Sequence, residues 1–384
     1  MRITVVGAGP AGLYFAILMK KADPSHEIGV FERDGADDTF GWGIVFSDQT
    51  FSYLRDNDEE TFERIVAGCE TWDNVDVVHR GQRISIHGNR FSGIARIAFL
   101  KILQRRATAL GVDLQFHRNV SDSPPLPAAD LLVGADGANS LVRAQHAAQF
   151  QPEIAAARNK YLWLGTPRLF HGLTLTFRHT EWGPFAAHSY KFSSSLSTFI
   201  VECGPDTWER AGFGTMGERD TCDRLAAIFR DDLDGAPLLT NNFVKWLNFT
   251  LVRNRRWHHD RVVLLGDALH TAHFSIGSGT KLALEDAIAL AKSFRDQHTV
   301  EAALPEFARV RKPIVDALQN AAVDSLRWFE NWTDDAELEP VVFAYRLMTR
   351  SGRIDREKLR QRDPAFVAAY ERADGRTVRE GSPR

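Results

Sequence analysis

The sequence predicts an α/β protein: a parallel sheet flanked by helices, interleaved with an antiparallel-sheet domain and closed by a helical tail. Three observations carry this expectation. The chain opens with a β-rich run, a glycine turn, an Ala- and Leu-rich helical segment and a second short strand, which together make a β-α-β unit. From about residue 155, strand-like runs rich in aromatic residues succeed one another with brief connections. An apolar strand near residue 261 and a long helical stretch then restore the first texture.

Taken in order, Arg2 to Val6 form the first strand, Pro10 to Lys21 a helix, and residues 27–31 the second strand. Gly41 to Asp48 reads as a glycine-bracketed loop, followed by two helices and a hairpin turning at Gly81-Gln82. Residues 94–110 carry apolar residues at helical spacing and lead into strands at 112–116 and 130–133. One antiparallel sheet is expected from 160–166, 173–179, 184–192 and 197–203, with a helix over 217–230. A strand at 261–265 and a helix after Gly277 rejoin the first sheet. Helices then continue to about residue 373, before a polar, frayed end. The domain plan is a first domain over 1–154 and 255–330, with a short insertion near 70–93. Residues 155–254 form the second domain, and 331–384 the C-terminal helices.

Composition narrows the function. Hydrophobic residues at 44% and charged residues at 25% are those of an ordinary globular protein. A net charge of -3 gives no global attraction to nucleic acid or an acidic membrane. Cys69, Cys203 and Cys222 are too widely spaced for a zinc pattern or a disulfide framework, so no metal is expected and the cysteines read as reduced, in a cytoplasmic protein. No run of 18 apolar residues exists to span a membrane.

Gly7-Ala8-Gly9-Pro10-Ala11-Gly12 fits G-x-G-x-x-G between a strand and a helix. Gly7 permits the tight turn, Gly9 lets backbone approach a pyrophosphate, and Gly12 lets the helix pack closely on the strand. Glu32 ends the second strand, with Arg33 beside it, and suits hydrogen bonds from an adenosine ribose. This motif alone serves FAD or NAD. Two more stretches follow apolar strands: Gly134-Ala135-Asp136-Gly137 with Arg143, and Gly266-Asp267-Ala268-Leu269-His270. They resemble the Asp-Gly and Gly-Asp motifs of the class A FAD-dependent aromatic hydroxylases, and the three in this order favour FAD. The resemblance covers nearly the whole chain and implies a p-hydroxybenzoate hydroxylase-like fold with a Rossmann-type FAD-binding domain.

The same resemblance assigns expected roles. Asp267 would bind FAD hydroxyls, Arg96 would contact FAD, and Gly277, Gly279 and Thr280 would aim a helix N-terminus at the flavin. Gly41, Trp42 and Gly43 would join the cofactor side. The resemblance further implies that FAD is non-covalent and that NADH or NADPH is a transient co-substrate without a binding domain of its own. Cys-x-x-Cys and the Trp-x-Trp-x-Ile-Pro signature of flavin halogenases are absent. The Gly41 to Asp48 loop and the Leu347–Ile354 and Leu359–Pro364 stretches resemble subgroup members that act on aromatic acyl-CoA thioesters. This implies an aromatic acyl-CoA substrate and O2, with hydroxylation of a salicylyl ring at carbon 5 as the specific expectation. A 2-aminobenzoyl-CoA or tryptophan-type substrate, and an FAD-binding protein without hydroxylase activity, are the alternatives. No reductase domain is expected after residue 384, and the assembly is left open between monomer and homodimer.

The candidate catalytic residues are His188 and Tyr190, on one face of a predicted strand, and His273, beside the expected flavin edge. His188 reads equally well as a satisfied core histidine. Trp42, Phe46 and Trp163 read either as lining of an aromatic pocket or as core. Lys160, Arg168, Arg178 and Lys191 are the candidates for CoA phosphates, against the alternative of a solvated charged face.

Overall fold

The structure is a computed structural model and describes residues 1–121, 126–241 and 245–380. Among them the strands form three sheets. The first has six strands in the order His258–His259, Val262–Leu264, Leu131–Gly134, Arg2–Val6, Glu27–Phe31 and Asp113–Gln115. Every pairing is parallel except the terminal hairpin of His258–His259 with Val262–Leu264. Arg2–Val6 is central and its last four residues are buried, as expected of a strand covered on both faces. Helix Pro10–Ala22 covers this sheet with nine successive buried residues and packs against helix Gly279–Gln297.

The second sheet has seven strands in the order Leu247–Asn254, Pro152–Thr166, Ser197–Cys203, Gly183–Lys191, Leu173–Thr180, Val75–His79 and Gln82–Ile86. It was expected to be wholly antiparallel; instead Leu173–Thr180 pairs in parallel with Val75–His79. The hairpin of the 70–93 stretch thus extends the sheet formed by later residues. Ser197–Cys203 is buried along its whole length. One apolar cluster joins this sheet to the helices between Pro205 and Leu233; another joins it to the C-terminal helices through Phe177, Phe329, Phe343, Leu347 and Phe366.

Three expectations need correction. Gly41 to Asp48 is not all loop: Gly43–Ser47 is a strand, paired antiparallel with Phe91–Ala95, and a helix begins at Asp48. The partner strand supplies the hydrogen bonds that the local sequence cannot. The strand placed at 160–166 begins at Pro152, and the unanticipated strand Leu247–Asn254 runs beside it. The last helix, Pro364–Glu380, continues past the expected fraying point near 373; residues 381–384 lie outside the described residues. Among the described residues no helix is long and apolar enough to cross a membrane.

Candidate active site

A cavity of about 1100 Å³ runs between the parallel sheet and the seven-stranded sheet. That exceeds the ordinary range of about 300–1,000 Å³ for a single small-molecule site. One end lies at the carboxyl ends of the central parallel strands, lined by Gly7, Gly9, Glu32, Arg33, Asp136 and Gly137. In an open parallel sheet this is where the strand order reverses and ligands bind.

Two helix N-termini open here. Helix Pro10–Ala22 has Gly9 at its cap, Pro10 in its first turn, no acidic residue there and no side-chain cap. Helix Gly279–Gln297 likewise begins without an acidic first turn or a side-chain cap, and Gly277, Gly279 and Thr280 line the cavity. Both present free N–H groups and the positive end of a helix dipole. A Cβ added at Gly9, Gly137, Gly277 or Gly279 would meet no protein atom within 4 Å, so space is held open above each. Gly12 is the opposite case: its Cβ would lie 2.2 Å from the Gly7 carbonyl oxygen. Glu32 accepts hydrogen bonds from the Ala8 and Asp34 backbone N–H groups at 2.8 and 3.0 Å, which fixes its carboxylate at the rim.

Asp267 opens onto the cavity from the turn after Val262–Leu264. Burial of the surrounding fold pushes its carboxyl above the ordinary value, against the opposing pull of Arg96. Arg96 also lines the cavity and donates from Nε to Thr39 Oγ1 at 3.1 Å. An anionic cofactor with many hydroxyl groups fits this set: N–H donors at two helix ends, carboxylate acceptors, and glycines that leave backbone exposed.

Other residues singled out from the sequence support the cavity from behind. Arg143 is buried and donates to the Ala268 and Ala138 carbonyls, tying the second motif to the third. Asp136 caps the short helix after Ser140 through the Leu141 and Val142 N–H groups, while still lining the cavity. Pro10, Ala11, Gly12 and Gly266 do not line it; a Cβ on Gly266 would sit 3.0 Å from that of Ala11. Gly43 lines it, whereas Gly41 and Trp42 do not. The Trp42 ring packs on Gly165 and Phe192. Phe46 is core, against Phe51 and Phe99. Trp163 faces the cavity.

Farther in, His188 and Tyr190 line the cavity from one strand face, as their spacing suggested. Tyr190 donates to the Gly43 carbonyl at 2.8 Å. His188 Nε2 lies 2.7 Å from Glu202 Oε1, and both residues are buried. Burial opposes ionisation of Glu202, yet the hydrogen bond from His188, nearby positive charge and the Asn159 amide hold its carboxyl below the ordinary value. The sequence reading missed Glu202. Its signal was an acid at an inward position of the apolar run Ser197 to Cys203.

His273 requires a correction. It is buried but does not line the cavity; its neighbour Phe274 does. Its Nδ1 lies 2.8 Å from Ser275 Oγ, and its ring packs against Phe249 and Phe274. Burial pushes its pKa down to about 4. The cations expected to meet phosphate are also misplaced. Arg178 pairs with Asp232, Lys191 with Glu70, and Lys160 bonds Asn248; none of these, nor Arg168, lines the cavity.

The FAD binding domain family matches residues 127–322. The chain is 42% identical to salicyloyl-CoA 5-hydroxylase of a Streptomyces species, over 98% of this chain and 74% of that protein. It is 33% identical to protodeoxyviolaceinate monooxygenase of Chromobacterium violaceum, over 89% and 92% of the two chains. It is 36% identical to the 3-hydroxy-4-methyl-anthranilyl-(aryl-carrier protein) 5-monooxygenase of Streptosporangium sibiricum, over 87% and 90%. Among solved structures, 2-methyl-3-hydroxypyridine-5-carboxylic acid oxygenase aligns over 94% of this chain and 97% of its own, with a TM-score of 0.72. At 18% identity that likeness speaks for the fold alone. Fold, cavity and relatives agree: the chain belongs to the FAD-dependent aromatic monooxygenases, enzymes that use NAD(P)H and O2.

Proposed function

We propose that this enzyme hydroxylates salicylyl-CoA at ring carbon 5, giving gentisyl-CoA. The overall change is ring C–H plus O2, NAD(P)H and a proton to ring C–OH, water and NAD(P)+. The observation that carries this reading is the 42% identity with salicyloyl-CoA 5-hydroxylase across 98% of the chain. Residues 1–154 and 255–330 serve the cofactor in this reading, and 155–254 the substrate.

When bound, FAD supplies the oxygen-activating chemistry, with electrons from NAD(P)H. The chain's own groups then have distinct work. Gly9 and the N-terminus of helix Pro10–Ala22 receive the pyrophosphate, Glu32 the adenosine ribose, and Asp267 with Arg96 the middle of the cofactor. The N-terminus of Gly279–Gln297, with Thr280, stabilises negative charge at the flavin end. Asp136 and Arg143 hold the intervening loops in place.

His188 is the base that takes the proton of the ring hydroxyl. With Nε2–H donated to Glu202, the other nitrogen, Nδ1, is left as an acceptor and has no hydrogen bond among the described residues. A phenolate donates more electron density to the carbon para to it, which for a salicylyl ring is carbon 5. Tyr161, Phe274, Phe249 and Trp163 line the cavity and exclude water from the reaction. His273 acts through Phe274 by fixing the turn that carries it. The test is turnover of salicylyl-CoA, 2-aminobenzoyl-CoA, tryptophan and free salicylate with NADH or NADPH in air. Gentisyl-CoA should dominate; efficient turnover of free salicylate or tryptophan without salicylyl-CoA would overturn the assignment.

A further inference from the structure

The cavity does not end at His188. It continues to a rim lined by Gly88, Asn89, Arg90, Phe91, Met348, Arg350, Ser351, Arg353, Ile354 and Arg362. Four of these are arginines, and none sits in a stretch assigned to cofactor binding. The rim is built by two remote segments locked together. The turn after Gln82–Ile86 meets the end of helix Arg356–Arg362: the His87 N–H donates to Asp363 at 2.9 Å, and a Cβ on Gly88 would lie 2.8 Å from the Arg362 carbonyl oxygen. Arg362 reaches across and donates to Asn89 Oδ1 at 2.9 Å.

The four arginines are not equivalent. Arg350 is committed internally: Nε donates to Ser325, Nη1 to the Leu347 carbonyl, and Nη2 to the Ser275 carbonyl at 2.6 Å. It fastens the rim to the turn that carries Phe274. Arg353 and Arg362 are exposed and have no carboxylate within ion-pair distance among the described residues. Both line the same rim; partial desolvation by the cavity wall and then the positive charge of Arg362 hold Arg353 below its ordinary value, against the pull of Glu285. Arg90 is exposed and only 3.8 Å from Asp48, a long contact that a better acceptor could replace. Like charges gathered at a cavity mouth repel one another, and a polyanion relieves that repulsion. Arginine's planar fork suits phosphate in particular.

We propose that Arg353, Arg362 and Arg90 form a phosphate dock for the nucleotide end of a coenzyme A thioester, whose pantetheine arm leads the aryl group inward to His188. This rests on the acyl-CoA reading above and locates its specificity at a place the FAD site does not touch. Remote binding energy of this kind can hold the ring for reaction without contacting the reacting atoms.

The test compares two thioesters of the same acid, salicylyl-CoA and salicylyl-N-acetylcysteamine, which lacks every phosphate. In wild-type enzyme and in Arg353→Ala/Arg362→Ala, kcat/KM is measured for both, with FAD content as the control. The double variant should lower the CoA to N-acetylcysteamine ratio of kcat/KM by about tenfold or more, chiefly through KM, since charge-assisted contacts are being lost. The Arg353→Lys/Arg362→Lys variant should recover part of that ratio. An unchanged ratio, or an equal fall for both thioesters, would overturn the dock while leaving the acyl-CoA reading intact. If the wild-type enzyme hydroxylates neither thioester, the acyl-CoA reading falls and takes the dock with it. Turnover only of an aryl group carried on a protein's phosphopantetheine arm would replace the dock with a protein-docking surface.

Discussion

Buried polar residues decide most at the scale of single side chains. Glu202 and His188 lie on a diagonal of adjacent strands, His188 opposite Ile200 and Glu202 opposite Ala186, so that one ring nitrogen is held and, in the proposed mechanism, the other serves the substrate. His188→Asn should keep FAD but lower the rate of product formation by about 10²-fold or more, the usual worth of a positioned general base. Product formed per NAD(P)H consumed should fall with it, and a wild-type ratio would return His188 to a core role. His273 makes a different prediction. Its folded-state value of about 4 lies below the ordinary 6.5, so the fold keeps it neutral. Above pH 6.5 neither folded nor unfolded chain protonates it. As pH falls from 6.5 to 4 the unfolded chain takes up a proton that the fold refuses, and stability drops by on the order of 3 kcal/mol. His273→Asn retains an acceptor for the Ser275 N–H but cannot titrate, so its denaturation midpoint should fall less between pH 8 and pH 4.5 than that of wild type. Equal losses would show that His273 does not carry this dependence. The sequence marked His188 and Tyr190 correctly on one face because a strand alternates strictly. It misplaced His273 because a turn has no such period, and only coordinates tell which of two adjacent residues faces inward.

At the scale of elements, the glycine turn at the first helix separates folding from binding. Gly9 has φ −75° and an open space above it, so alanine there fits the fold. Gly12 packs against the Gly7 carbonyl, so alanine there must push helix Pro10–Ala22 off the sheet. Gly9→Ala should therefore leave apo-protein stability near wild type and weaken FAD binding, whereas Gly12→Ala should destabilise the apo-protein itself by about 1–3 kcal/mol. Denaturation of the stripped protein and FAD titration of each variant separate the two. If both variants lose only FAD affinity, the close helix–sheet contact has been misread. Asp267→Asn adds a third point: replacing a charged acceptor should weaken FAD by about 1.5–3 kcal/mol. The parallel strands and both long helices of this half were legible because their apolar runs are bounded by glycine turns. Gly43–Ser47 was not, since its identity as a strand depends on Phe91–Ala95, which is distant in sequence and too short to announce the pairing.

For the whole molecule, the C-terminal helices belong with the seven-stranded sheet. Phe343, Leu347, Leu359, Phe366 and Val367 share one buried cluster with Val75, Val77, Ile86, Leu175 and Phe177 from the seven-stranded sheet. Their resemblance to acyl-CoA enzymes was readable from sequence, but their placement at the cavity rim was not, because it arises from contacts between residues near 88 and residues near 362. For the same reason the cations singled out from the sequence do not reach the cavity: Arg178 and Lys191 are already paired with carboxylates from elsewhere in the fold. The cavity joins a cofactor end, a histidine held by a carboxylate and a basic rim into one passage. The most direct measurement is mass analysis of product from the FAD-loaded enzyme with salicylyl-CoA, NAD(P)H and 18O2. The expected product is gentisyl-CoA carrying one 18O at ring carbon 5. NAD(P)H oxidation that yields only hydrogen peroxide, or product without the heavy atom, would contradict the proposed reaction.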